Sequence, residues 1–320
     1  SAGVKQASTS IQGVKLQLSA RAMAAARGFL SVLYALVVRA NAFVAPLRRA
    51  PPRRACMLRS TGDGFHEAAD LPPLSTSTND ATISIMMITR ARPLFLREAL
   101  RSIARQDYAL DAVEVLVVDD SPRDDGDGVR EFLRGTPLDG RLRWIRCDEQ
   151  RRLGAKRNAA ARRARGDVVV VWDDDDYFAP ARLKTQAAAL AGGTSAVLLG
   201  ADKPGCFFYF DAADGTFRES SGSSFGQPCS MAYERRLWGE AVYGEDLDVF
   251  EDMHFFEALL FGGVKVGTAY CPWVRTRHAA NVVRDARGDG DEAVVDAAVA
   301  AVACDLPDAT LAFLRSLKEG

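Results

Sequence analysis

Apolar positions along this chain fall into two rhythms. Continuous runs at Ile83–Ile88, Val113–Val118 and Val168–Trp172 are short, rich in β-branched and aliphatic residues, and read as buried strands. Between them the spacing changes to that of helices. Leu96, Ala99, Leu100 and Ile103 share one face after Pro93, while Arg97, Arg101 and Arg105 share the opposite one. A weaker helix leads to Gly135, Arg141–Arg146 alternates as a third strand, and Leu153–Gly166 is an Ala/Arg helix running into Val168. Strands alternating with helices predict βαβ units, and so an α/β fold with a mostly parallel sheet flanked by helices.

The second half is less regular. Helices are expected at Pro180–Leu190, Arg235–Ala241 and Asp252–Phe261, the last closed by Gly262-Gly263. Strands are expected at Ala196–Leu199 and Val264–Val266, with a hairpin of Cys206–Phe210 and Thr216–Glu219 around Asp214-Gly215. Beyond Asn281 the pattern is helical and carries little chemistry.

The strand at Val168 ends in Asp173-Asp174-Asp175-Asp176. Adjacent carboxylates repel one another unless a cation sits among them, and ligands of open α/β sheets bind at the carboxyl ends of strands. Hard oxygen donors suit Mg²⁺ or Mn²⁺. A solvated acidic turn is the competing reading.

Composition adds an asymmetry. The 320 residues carry a net charge of −1, yet residues 1–60 hold ten Lys/Arg and no acid, leaving 31 basic against 42 acidic residues in the remainder. That split indicates a basic leader on an acidic domain and no nucleic-acid-binding surface. From Met23 the order is Arg27, an apolar run Phe29–Val38, then Ala40-Asn41-Ala42, which is the order of a secretory signal peptide. The run is well short of the ~20 residues a transmembrane helix needs. The Phe-led, Arg-rich, acid-free stretch after Phe43 resembles bipartite plastid presequences, so a plastid address is expected, with the Golgi or secretory pathway as the alternative. Residues 61–80 read as a linker, 81–280 as the domain proper and 281–320 as a helical tail. Six scattered cysteines without a C-x-x-C pair are expected to be buried small hydrophobes rather than a zinc site or disulfide framework.

Five motifs stand in one order. They are Ile88-Thr89-Arg90-Ala91-Arg92-Pro93, Val117-Val118-Asp119-Asp120-Ser121, Gly154-Ala155-Lys156-Arg157-Asn158-Ala159-Ala160, Asp173–Pro180, and Glu251-Asp252-Met253-His254-Phe255 with Gly263 behind it. Together they resemble glycosyltransferase family 2, whose members are inverting nucleotide-sugar transferases with the Rossmann-like GT-A fold. The first motif departs most, with Ile88 for the family's Pro and Arg90-Ala91 for Tyr-Asn, which leaves the nucleotide open.

The resemblance implies roles. Thr89, Arg92, Asp119, Asp120, Lys156, Arg157 and Asp173 would contact the nucleotide-sugar. Asp175 would ligate Mn²⁺ or Mg²⁺ directly, Asp176 through water, and His278 could complete the shell. Asp174, at the unconstrained position of the motif, would point away. Asp252 would be the general base, with Asp246 of Gly244-Glu245-Asp246 as second choice and a plain helix N-cap as the bland reading of both. The expected partners are a nucleoside-diphosphate sugar and a carbohydrate, lipid or protein acceptor. Two alternatives remain: a nucleotidyltransferase, although the loop after the first strand lacks glycine, and a non-catalytic nucleotide- or carbohydrate-binding module. Tyr233, Trp238 and Trp273 either line an acceptor pocket or belong to the core.

Overall fold

The computed structural model describes residues 63–68, 71–75, 81–200, 207–220, 227–278 and 292–317. The leader, with its signal-like and plastid-like features, lies outside the described residues. In chain order the first half is β1 (His66–Ala68), β2 (Ile83–Thr89), α1 (Pro93–Ala104), β3 (Val113–Asp119), α2 (Gly126–Leu133), β4 (Leu142–Arg146), α3 (Leu153–Arg163) and β5 (Val168–Asp173). Next come β6 (Tyr177–Phe178), α4 (Arg182–Ala191), β7 (Ala196–Gly200), β8 (Phe207–Asp211), β9 (Thr216–Ser220) and β10 (Ala232–Glu234). The remainder is α5 (Glu251–Phe261), β11 (Val266–Tyr270), β12 (Trp273–Arg277), β13 (Glu292–Val295), α6 (Ala297–Cys304) and α7 (Asp308–Ser316).

Eight strands form the main sheet in the order β1-β4-β3-β2-β5-β10-β7-β11. The four strands β4, β3, β2 and β5 run parallel to one another, and β10 enters antiparallel between β5 and β7. Every residue of β2 and β3 is buried, as expected of parallel strands covered on both faces. Under one face lie Leu96, Leu100 and Ile103 of α1. Burying each such side chain contributes about 1.5–3 kcal/mol. The other face packs against Ala159, Ala160 and Ala161 of α3 and Phe255, Phe256 and Leu259 of α5.

Register sets the site. Thr89 pairs with Asp119, Ile88 with Asp173 and Asp119 with Arg146, so the carboxyl ends of four strands finish level along one edge. A second sheet, β13-β9-β8-β12-β6, starts from the acidic turn through β6, and its far face carries α6 and α7 over Phe208, Phe210 and Phe217. Among the described residues no helix is long and apolar enough to cross a membrane.

Several boundaries differ from the sequence reading. Residues 63–68 join the domain rather than the linker: β1 pairs antiparallel with β4, Phe65 is buried, and the Asp63 carboxylate takes Arg162 at 2.9 Å and Arg163 at 3.0 Å. The expected helix over 235–241 is only a 3₁₀ turn at Arg235–Leu237 behind the short strand β10. The helix after Pro180 begins at Arg182, and the expected strand over 264–266 lies at Val266–Tyr270. The described part of the tail contains α6 and α7, preceded by β13, which pairs with β9. Tyr233 and Trp273 belong to the core.

Candidate functional site

Asp173 is the last residue of β5, and the chain turns there: the N–H of Asp176 donates to its carbonyl at 3.4 Å. The turn separates the four acids into two groups. Asp174 accepts a 2.6 Å hydrogen bond from the Thr89 hydroxyl and lies 2.6 Å from Nη2 of Arg92. Asp175 receives Nη1 of the same guanidinium at 2.6 Å and lies 3.2 Å from Nε2 of His278. Thr89 ends β2 and Arg92 is the N-cap of α1, so the first βα loop holds the middle of the turn. His278 is fixed by stacking on Phe95, whose ring lies 4.2 Å away, centroid to centroid.

Asp174 therefore differs from the expectation that it turns away. It is 1% exposed, and burial pushes its carboxyl up to about 7. Burial acts in the same sense on Asp175, but His278 and Arg92 reverse it and hold that carboxyl below its ordinary value.

Asp173 and Asp176 face the other side. Asp173 accepts from Nη2 of Arg157 at 3.1 Å, and Asp176 lies 3.6 Å from Nε of Arg275. Oδ2 of Asp176 is buried without a hydrogen-bond partner, and burial raises that carboxyl well above its ordinary range. One donor atom each from Asp173, Asp176 and Cys229 lie within 4.8 Å of one another. Two carboxylates and an orphaned oxygen fit a divalent cation better than they fit one another. The grouping differs from the expected ligand set: Asp173 and Asp176 are brought together, while Asp175 is engaged by Arg92 and His278.

Arg157 connects this pair to the candidate base. Its Nε donates to Glu251 at 2.8 Å, and Glu251 is 3% exposed at the first position of α5. Asp252 follows, partly buried, its Oδ1 accepting from the Met253 N–H at 2.7 Å. Burial, with the Glu251 charge adding to it and Arg157 opposing, pushes the Asp252 carboxyl up to about 6. Phe250 enters the helix in the left-handed region, φ 60°. Asp246, the second choice, stands exposed in the preceding turn.

The G-x-x-R-N pattern of α3 is explained by the chain leading to Asp252. The amide of Asn158 donates to the Tyr243 carbonyl at 2.9 Å and its oxygen accepts from the Tyr243 N–H at 3.0 Å. Gly154 touches Gly244: a Cβ there would stand 1.8 Å from the Gly244 carbonyl oxygen. Asp248 accepts from the Leu153 N–H at 3.3 Å, occupying the start of α3.

Beside the turn lies a cleft of about 570 Å³, lined by Thr89, Arg92, Asp119, Ser121, Arg123 and Trp144 among others. Thr89, Arg92 and Asp119, three of the residues the resemblance assigns to the nucleotide-sugar, thus line one cleft. Asp119 is 1% exposed; its carboxylate is held by Ser121 and, at 3.0 Å, by Arg146, and burial raises it. Asp120 and Lys156 are spent on each other at 3.0 Å, with the Arg151 N–H on the second Asp120 oxygen at 2.8 Å. That pair fixes α3 against the end of β3 from inside.

Sequence reasoning missed Glu251, Cys229, Arg275 and Arg146. Glu251 stood inside the quoted E-D motif and could have been singled out. The other three carry no local signal and reach the site only through strand pairing.

Residues 84–238 match the family model described as Glycosyl transferase family 2. Over 168 residues the chain is 29% identical to YwdF of Bacillus subtilis (strain 168), named an uncharacterized glycosyltransferase; the match spans 52% of this chain and 53% of YwdF. It is 32% identical over 116 residues to the poly(ribitol-phosphate) beta-N-acetylglucosaminyltransferase TarS of Staphylococcus aureus, spanning 36% of this chain and 20% of TarS. The chain thus spans about half of one relative and a fifth of the other. The fold is similar to that of the mannosyltransferase PcManGT from Pyrobaculum calidifontis, solved with GDP-Man and Mn²⁺: TM-score 0.50, 20% identity, 64% of this chain and 59% of that one. The similarity to glycosyltransferase family 2 thus lies in residues 84–238, which carry the strands β3, β4 and β5 and the acidic turn.

Proposed function

We propose that this chain is a metal-dependent, inverting glycosyltransferase that moves a sugar from a nucleoside diphosphate to a hydroxyl acceptor. The observation that carries this is the Asp173–Arg157–Glu251 chain of ion pairs, which sets the acidic turn and Asp252 on the two sides of one buried guanidinium. The nucleoside would occupy the cleft beside Thr89, Arg92 and Asp119. A divalent cation held by Asp173 and Asp176 would supply charge neutralisation for the departing diphosphate. Arg157 and Arg275 are the cations nearest those two carboxylates and orient them.

Asp252 is the base. As the acceptor oxygen forms its bond to the anomeric carbon, the bond from that carbon to the diphosphate oxygen breaks and the electron pair leaves with the diphosphate. The acceptor's proton passes to the Asp252 carboxylate. A single displacement inverts the anomeric configuration and needs no second carboxylate as nucleophile. A carboxyl at about 6 suits the role, being ionised at neutral pH yet more basic than an ordinary aspartate.

The test is product formation by the full chain with a panel of nucleoside-diphosphate sugars and simple acceptors, with Mn²⁺ or with chelator, the anomer of the product read by NMR. Transfer that requires metal and yields the inverted anomer supports the proposal. Retention of configuration, or transfer undiminished by chelator, refutes it. Binding of nucleotide without transfer to any acceptor favours the non-catalytic module.

A further inference from the structure

Cys229 is 5% exposed, and its thiol has no part in the transfer step above. The sheet dictates where it sits. β10 runs antiparallel to β5 with Ala232 opposite Val170, and the Val171 N–H donates to the Met231 carbonyl at 2.9 Å, which carries the pairing past the end of β10. Just before it, the 3₁₀ turn Pro228–Ser230 carries Cys229 to the carboxyl end of β5, beside Asp173. The Asp173–Asp176 turn then folds Asp176 back toward the same spot.

The outcome is the cluster in which Cys229 Sγ and one oxygen each of Asp173 and Asp176 lie within 4.8 Å of one another. An ion bound at about 2.0–2.3 Å keeps opposed ligand atoms about 4–4.6 Å apart, so a shared ion needs only small side-chain adjustments. A second observation points the same way. Asp176 is 4% exposed and its Oδ2 has no hydrogen-bond partner, the Arg275 Nε standing off at 3.6 Å. A buried carboxylate oxygen left in that condition is costly unless a ligand completes it.

We propose that Cys229 is a third protein ligand of the cation held by Asp173 and Asp176, which makes the centre a mixed carboxylate–thiolate site. This rests on the reading of the acidic turn as the cation site of a nucleotide-sugar transferase. Binding breaks the S–H bond, releases the proton to water and joins the thiolate pair to the metal. Mg²⁺, which favours oxygen, is then disfavoured relative to Mn²⁺, Co²⁺, Zn²⁺ or Cd²⁺.

The full, metal-free chain is titrated with Co²⁺ and with Cd²⁺ while absorption is recorded, and with Mn²⁺ while the free ion is counted by paramagnetic resonance. The wild type should show a sulfur-to-metal charge-transfer band saturating at one ion per chain. Cys229→Ser should lose the band and narrow the preference for Cd²⁺ over Mg²⁺, whereas Cys271→Ser should keep both. Since the wild-type spectrum alone decides whether sulfur is bound, a variant that fails to fold does not protect the proposal. Mn²⁺ binding with no thiolate band overturns the role of Cys229 and leaves the transferase reading in place. No Mn²⁺ binding, with or without a nucleoside diphosphate, overturns both.

Discussion

The backbone N–H of Asp176 donates to the carbonyl of Asp173, 3.4 Å away, across the turn that ends β5. That one bond sorts four consecutive carboxylates. The outer two, Asp173 and Asp176, converge beside Cys229. The inner two share the Arg92 guanidinium at 2.6 Å each. Repulsion along the run is thereby met by a protein cation on one side and a place for a metal on the other.

Arg92 should consequently resist replacement. Arg92→Met leaves the Asp174 carboxylate buried beside Asp175 without its cation, a loss of about 3–5 kcal/mol by the usual cost of breaking a buried pair. Arg92→Lys should recover only part of this, because an ammonium cannot span two carboxylates as the planar fork does. Chemical denaturation measures both; equal stability of wild type and Arg92→Met would show that the acids are held by something else.

The assignment of the base separates two neighbouring acids. Asp252→Asn should lower kcat by about 10²–10⁴-fold while donor affinity changes little, the usual worth of a positioned proton acceptor. Asp246→Asn, at an exposed turn, should stay near wild type. The opposite pattern in the two variants would move the base to Asp246.

The pH profile follows from the same carboxyl. Asp252 acts ionised, so kcat/KM should rise with pH, level off above about 6, and lose tenfold per unit well below that value. Burial is the first cause of the raised value and the Glu251 charge the second. Glu251→Gln removes that charge and should move the limb to lower pH. A limb that stays put, or moves up, would mean that Glu251 does not act on the base.

Much of this fold can be read in the chain. The apolar runs of β2, β3 and β5 announce themselves because strands covered on both faces need no polar positions. For the same reason they carry no alternation from which register could be deduced, and register is what levels Thr89, Asp119 and Asp173 along one edge. β10, three residues between 3₁₀ turns, falls below any periodic signal, and Cys229 is invisible without it. His66-Glu67-Ala68 reads as linker because an edge strand is polar. The acids were legible as a cluster at the carboxyl end of a strand, but their division into two pairs was not, since the turn in Asp173–Asp176 contains no glycine, proline or asparagine.

Gly154 gives a steric prediction. A methyl group there meets the Gly244 carbonyl at 1.8 Å, backbone against backbone, so Gly154→Ala must push the 244–248 segment off α3. About 1–3 kcal/mol of stability should be lost, the common penalty of overpacking, and kcat should fall with it because that segment leads to Asp252. Ala155→Gly, one position on, serves as the comparison; if both variants cost the same, the contact is not what the glycine provides.

A cation-dependent nucleotide site built on Asp173 and Asp176 is tested by thermal unfolding of the full chain with nucleoside diphosphates. A nucleotide at ~100 times its dissociation constant contributes about 2.7 kcal/mol, a shift of several degrees. At least one nucleoside diphosphate should raise the wild-type melting temperature with Mn²⁺ and not with chelator, and Asp176→Asn should abolish the metal-dependent part. A nucleotide that stabilises wild type and Asp176→Asn equally, with or without metal, would contradict it.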